Sequence, residues 1–401
     1  MAKAKISLPK RILRASLITL LVLILAGGVF LYFATTPMQP GDFYNLPDTL
    51  PEGAPGTVIR SEKMTDRSIP GNADAWRVLY LSQDMHGEAI AISGMMVAPK
   101  DVDDGTPRDI ISWATGTIGI YPECGVSHTR NPFSATSGLK EMIDLGYVVA
   151  ITDYQGRSTA GIHPYLIGPA EAYAVLDAVR AARDMVPNTS DRYALWGESQ
   201  GGHSAMWSAQ MAPDYAPELE LVAVAIHAGA LDLLTISEAN MDKPLGSFIL
   251  GMSITAWSAY YPDAHIEDIV KPESRKLFDK LAHICFTKAL GALLLGDVPI
   301  AREMMLVDPS VTEPWRSIMI ANTPVGPVDV PILLTHGTDD PLIPIAVAEQ
   351  ETARRCADGE SVTFVAFEGV QHAGSADTVT YTVNWLHDRM MGIPVAGACG
   401  E

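Results

Sequence analysis

One serine stands among glycines in the run W-G-E-S-Q-G-G-H, Trp196 to His203. The spacing G-x-S-x-G suits a nucleophile held on a tight turn. A serine hydroxyl is a weak nucleophile by itself. It needs a base to take its proton, a carboxylate to orient that base, and N–H donors for the oxyanion of a tetrahedral intermediate. The same letters also occur in plain Gly-rich loops, so the partners and the flanking elements decide.

Candidate partners lie downstream. The run I-L-L-T-H-G-T-D-D-P-L-I-P reads as a strand followed by an acid-bearing loop with Asp339 and Asp340. In the pattern strand-G-x-x-D-x-x-I/V-P of hydrolases built on such a turn, Asp340 has the fitting spacing to Gly337 and Pro344; Asp339 is one place early. Of the ten histidines, only His372 and His387 follow Asp340. His372, in E-G-V-Q-H-A-G-S between a strand and the last helix, can swing to the serine as its base. His387 lies inside that helix and reads as packed or solvated; His203 and His336 read as structural. The oxyanion donors are expected from the backbone N–H of Gln200, next to the serine, and from the loop W-A-T-G-T-I-G, with Thr117 preferred over Ile118. No H-E-x-x-H or C-x-x-C pattern occurs, so neither a metal nor a cofactor is expected.

The elements that position these residues alternate. Strand-like runs cover Gly56–Ser61, Trp76–Ser82, Ala89–Ala98, Asp109–Ala114, Tyr147–Thr152, Tyr193–Trp196, Leu221–Ile226, Val330–Thr335 and Val362–Phe367. Helix-like runs cover Ser134–Leu145, Pro169–Met185, Gln200–Met211, Ile345–Arg355 and Ala376–Met391. Pro169–Met185 has proline in its first turn, acids early, and Arg180 and Arg183 late. Apolar strands alternating with helices predict a mostly parallel sheet covered on both faces. Ser199 then follows a strand and opens a helix, as a nucleophile elbow requires. Between about residues 233 and 327 the pattern turns helical and rich in methionine (Met241, Met252, Met304, Met305, Met319). That stretch is expected to be a cap whose flexible side chains line an apolar site.

The ends and the charge bound the setting. The chain has 401 residues and a formal net charge of −19. Its first 41 residues carry five basic groups and no acid, leaving 23 basic against 47 acidic in the remainder. Such a body is repelled by nucleic acid, and no protein partner is evident. Residues 1–14 read as a basic cytoplasmic segment. Ala15 to Ala34 is apolar for about 30 Å of helix, enough for a bilayer, and bulky Tyr32 fits a cleavage site poorly. An uncleaved anchor is therefore favoured over a cleaved signal, with the body on the extracytoplasmic side; cleavage would release it. Residues 35–55 read as linker and arm, and 56–401 as one catalytic domain containing the cap. Four cysteines, Cys124, Cys285, Cys356 and Cys399, behind an export segment predict two disulfides; counting alone allows three pairings.

Together these residues resemble the fungal-type secretory lipase family, the lipase A-like branch of the α/β-hydrolases. The resemblance runs from about Asp42 to Cys399 and includes F-Y-N-L-P-D-T-L-P-E-G-A-P-G-T-V-I-R-S-E, G-Y-V-V-A-I-T-D-Y-Q-G and Y-A-P-E-L-E-L-V-A-V-A-I-H-A-G. It implies an α/β-hydrolase fold and hydrolysis of acylglycerols or other acyl esters under a helical lid. It also implies a Ser199–Asp340–His372 triad and disulfides Cys124–Cys285 and Cys356–Cys399. Many bacterial relatives have H-G-T-T-G where this chain has T-G-T-I-G, with Thr115 and Ile118 substituted. Backbone donors tolerate that change, but substrate preference can shift with it. The same triad serves acyl transfer or peptidase and amidase chemistry, the alternative reading. A non-catalytic binding protein would normally have lost part of the triad.

Overall fold

In the computed structural model, the described residues form a nine-stranded sheet with the order β1-β2-β3-β5-β4-β6-β7-β8-β9 as the frame. The described residues are 38–100, 105–286, 298–395 and 399, with Ser16 and Thr19. The basic segment 1–14, almost all of the anchor expected at 15–34, the first residues of the linker and 287–297 of the expected cap lie outside them. Among the described residues, no helix is long and apolar enough to cross a membrane.

The strands are β1 (Val58–Lys63), β2 (Ala73–Gln83), β3 (Ala89–Pro99), β4 (Arg108–Ala114), β5 (Val148–Thr152), β6 (Thr189–Glu198), β7 (Glu220–His227), β8 (Ile332–Gly337) and β9 (Val362–Phe367). β1 to β3 form an antiparallel meander, and β3 pairs antiparallel with β5. From β5 through β4 to β9 every pairing is parallel. β5 and β8 are buried at every position. Their sequences are accordingly continuous apolar runs rather than alternating ones.

Helices cover both faces. On one lie α2 (Gly168–Met185), α3 (Gln200–Tyr215) and α10 (Ile345–Ala357), whose Val175, Met206 and Val347 join one apolar core. On the other lie α1 (Leu139–Asp144) and α11 (Ala376–Met390), whose Met142 and Leu386 join a second core around Trp113 and Trp196. This is the mostly parallel sheet covered on both faces that the alternation predicts, and the α/β-hydrolase architecture that the resemblance implies.

Some bounds differ from the sequence reading. The helix expected over Ser134–Leu145 is a 3₁₀ turn at Pro132–Ala135 and a separate α1. Gly138 breaks it, with φ at 69° and its Cα against the Trp196 ring, where an added Cβ would stand 2.8 Å away. β6 begins four residues earlier than the apolar run, because Thr189 and Arg192 extend its pairing to β4 and β7. α3 runs on through Pro213 to Tyr215. Proline there costs one backbone hydrogen bond, and the helix stops two residues later.

Between β7 and β8 the chain makes α4 (Leu233–Asn240), α5 (Pro244–Tyr260), α6 (Ile266–Ile269), α7 (Arg275–Ala282), α8 (Ala301–Met304) and α9 (Trp315–Asn322). Among the described residues this insert adds no strand to the sheet. Its five noted methionines are all buried in the first core. That corrects the expectation that they line a site: filling irregular gaps between short helices suits the same flexible side chain.

Candidate active site

β6 delivers Ser199 to the carboxyl end of the parallel strands and α3 begins directly behind it. Ser199 sits at φ 57° and ψ −118°, a left-handed conformation costing a non-glycine residue about 1–3 kcal/mol. Backbone crowding explains the glycines. A Cβ on Gly201 would stand 1.9 Å from the Ala114 carbonyl oxygen at the end of β4. On Gly197 it would stand 2.0 Å from the Gly201 oxygen. The turn is held by hydrogen bonds. Ser199 N–H donates to the His227 carbonyl at 3.0 Å, and the Ser199 carbonyl accepts from Ala230 N–H at 3.1 Å.

The loop after β8 carries Asp340, whose side chain is 1% exposed. Leu342 and Ile343 N–H groups donate to its Oδ1 at 2.8 and 3.0 Å. His372 Nδ1 reaches its Oδ2 at 2.7 Å. Burial pushes this carboxyl up, but hydrogen bonds from His336 and His372 outweigh it and hold the group well below the usual carboxylate range. With Nδ1 donating to the acid, the His372 Nε2 is left as the acceptor nitrogen. Asp339 is exposed and takes no part.

His372 and Ser199 line one cavity of ≈ 170 Å³ without a hydrogen bond between them, a separation common before substrate binds. Gly116, Thr117 and Gln200 line it as well, and its apolar wall includes Ile236, Ile249 and Phe286 from the insert. Thr117 Oγ1 pairs with the Tyr165 hydroxyl at 2.8 Å. Ile118 does not line the cavity. Its side chain packs on the second core, and its carbonyl accepts Phe286 N–H at 2.8 Å.

Two side chains, Glu198 and Arg157, escaped the sequence reading, and His336 was read without its partner. Glu198, inside the G-x-S-x-G run, presents a half-buried carboxyl to the cavity; burial pushes it up to about 7 against a hydrogen bond from Ser137. His336 is buried, and its Nε2 lies 3.1 Å from Asp340 Oδ2 and 2.9 Å from the Ile343 carbonyl. It is structural, as read, but its partner is the acid itself. Arg157, in D-Y-Q-G-R-S, is fully buried behind the serine. His203 Nδ1 meets Glu171 at 2.8 Å, and His387 Nδ1 meets the Tyr147 hydroxyl at 2.7 Å.

The cysteines pair as Cys124–Cys285 and Cys356–Cys399. The first joins the stretch after the T-G-T-I-G loop to the residue before Phe286, tying insert to cavity. Among the described residues, no group of three or more His, Cys, Asp or Glu is arranged to hold a metal ion.

Comparison with known proteins gives a consistent picture. The family model described as secretory lipase matches residues 135–398. Lipase 6 of Candida albicans is 25% identical over 92% of this chain and 84% of its own length. The secreted triacylglycerol lipase LIP3 of Malassezia globosa is 24% identical over 90% and 84%. A Mycobacterium tuberculosis protein named a probable inactive lipase is 26% identical over 90% and 84%. Among solved structures, Candida antarctica lipase A superposes with a TM-score of 0.79 at 20% identity, covering 91% of this chain and 90% of that one.

Proposed function

The chain belongs to the secretory lipase family, and from that premise we propose that it is a serine carboxylic-ester hydrolase acting on acylglycerols or other acyl esters. The observation that carries the reading is the 2.7 Å contact of His372 Nδ1 with Asp340 Oδ2 at the cavity where Ser199 stands on its elbow. In this mechanism His372 Nε2 takes the Ser199 proton as Oγ attacks the ester carbonyl. The Gln200 and Thr117 N–H groups stabilise the oxyanion, aided by the α3 dipole. The imidazolium then protonates the departing alcohol, leaving an acyl-enzyme. Water, activated by the same base, releases the acid and restores Ser199. Asp340, held ionised, keeps the His372 tautomer and stabilises the imidazolium.

The insert over residues 233–327 acts as a cap in this reading, supported by its three residues on the cavity wall. The two disulfides and the family support work outside the cytoplasm. The test is hydrolysis of para-nitrophenyl esters from acetate to palmitate by the wild type and Ser199→Ala. Loss of about 10⁶ in kcat is expected, the scale seen when a serine protease loses its nucleophile. Equal activity in the two proteins refutes the proposal. The name of the tuberculosis relative makes this test a necessary one.

A further inference from the structure

A guanidinium buried to 0% exposure behind the serine needs a reason, because an ion taken out of water costs several kcal/mol unless it is well paired. Arg157 divides its donors between a backbone carbonyl and a side-chain amide on two segments that must keep a fixed separation. Its Nε donates to the Gly119 carbonyl at 2.7 Å, at the end of the T-G-T-I-G loop. Its Nη2 donates to Gln200 Oε1 at 2.8 Å, on the residue after Ser199. One planar group thus touches both walls that carry the proposed oxyanion donors.

The far side of Gln200 is equally fixed. Its Nε2 donates to Glu171 Oε1 at 2.6 Å and to His163 Nε2 at 2.7 Å. Burial and the Arg157 charge push His163 down to about 4, so its ring is neutral. Its Nδ1 faces the Gln155 carbonyl, which leaves Nε2 as the acceptor that Gln200 needs. Glu171 is anchored in turn by the Leu166 N–H at 2.9 Å, Ser204 Oγ at 2.7 Å and His203 Nδ1. Burial works to raise this carboxyl, yet His203 brings it far below its usual range, and its negative charge in turn favours the charged form of Arg157 without a direct ion pair between them. Every polar atom of the Gln200 side chain is used. Gln200 is also the first residue of α3, where backbone N–H groups have no partner within the helix.

We infer that Arg157 is a positioning residue for the oxyanion hole: it locks the Gln200 side chain to the loop bearing Thr117 and so sets the aim of both donors. The inference rests on the ester-hydrolase reading and deepens it. Lysine cannot replace the fork, since a single ammonium does not present two divergent donors in a plane.

The test uses Arg157→Lys, Arg157→Met and Gln200→Ala, with para-nitrophenyl butyrate turnover, the Ki of a trifluoromethyl ketone that forms a tetrahedral adduct on serine, and the melting temperature. Gln200→Ala keeps the backbone N–H and a good helix former but cuts the link. Each folded variant is expected to lose roughly 10- to 100-fold in kcat, below the full loss of an oxyanion donor. KM should stay within about threefold, and the ketone Ki should weaken in step with kcat/KM. A residue that only supports packing would lower the melting temperature and leave that correlation flat. Folded Arg157→Lys or Gln200→Ala with wild-type kcat and Ki overturns the inference while leaving the ester-hydrolase reading intact. If the Arg157 variants do not fold, Gln200→Ala decides alone. A wild type without Ser199-dependent turnover removes the underlying reading and this inference with it.

Discussion

His336 and His372 share one oxygen of Asp340: their nitrogens lie 3.1 and 2.7 Å from Oδ2. The half-buried partner, His372, faces the cavity, while His336 is fully buried. His336→Phe, which keeps a ring and removes the donor, is expected to cost about tenfold in kcat. Asp340→Asn should cost about 10⁴, the scale of losing the orienting carboxylate. Steady-state kinetics on a short ester checks the ordering; wild-type kcat in His336→Phe contradicts it.

Glu198 gives a pH dependence with a definite sign. Its carboxyl is raised from 4.5 to about 7 by burial, so the folded protein favours the neutral form. The stability this confers is complete below pH 4.5 and is lost as pH climbs through about 7. Glu198→Gln stays neutral throughout. It should melt with the wild type near pH 4.5 and above it at pH 8, by at most about 3 kcal/mol at ~1.4 kcal/mol per pH unit. Melting curves at the two pH values decide; a difference independent of pH contradicts the assignment.

The disulfide Cys124–Cys285 closes a loop with 161 residues of separation. In the chain-entropy model that constraint is worth about 5 kcal/mol. Replacing both cysteines by serine should lower the denaturant midpoint strongly. It should also reduce turnover, because Phe286 beside Cys285 lines the cavity and bonds the Ile118 carbonyl. Unfolding in urea and kcat on the same sample separate the two effects, and an unchanged midpoint contradicts the first.

Gly201→Ala tests the elbow's geometry. The new Cβ would meet the Ala114 oxygen at 1.9 Å, with backbone on both sides, so something must shift. Activity should fall at least about 100-fold, as a displacement of about 1 Å in a catalytic geometry can cost. The same substitution at Gly41, which has open space, should be silent. Circular dichroism and ester kinetics on both variants check this.

What could be read from the sequence was local. Ser199 on a strand-to-helix turn is legible because G-x-S-x-G sits between an apolar strand and a helix within a dozen residues. The contact of Asp340, not Asp339, with His372 is legible because Gly337 and Pro344 bound the turn. Arg157 is the opposite case. D-Y-Q-G-R-S carries no local signal of burial, and the burial of Arg157 depends on Gln200 and Gly119, 43 and 38 positions away. His336 reads as structural, but its partner is not legible, since only the reversal of the loop brings Asp340 back onto its ring. The break at Gly138 is set by the Trp196 ring, a contact across 58 positions that no helical periodicity contains.

The most direct measurement is covalent capture of Ser199. The protein is treated with a fluorophosphonate and digested, and the adduct is located by mass spectrometry, beside Ser199→Ala and Asp340→Asn. The account expects a single adduct on the peptide bearing Ser199, none in Ser199→Ala, and labelling at least about 100-fold slower in Asp340→Asn. An unlabelled wild type, or equal labelling in Ser199→Ala, contradicts it.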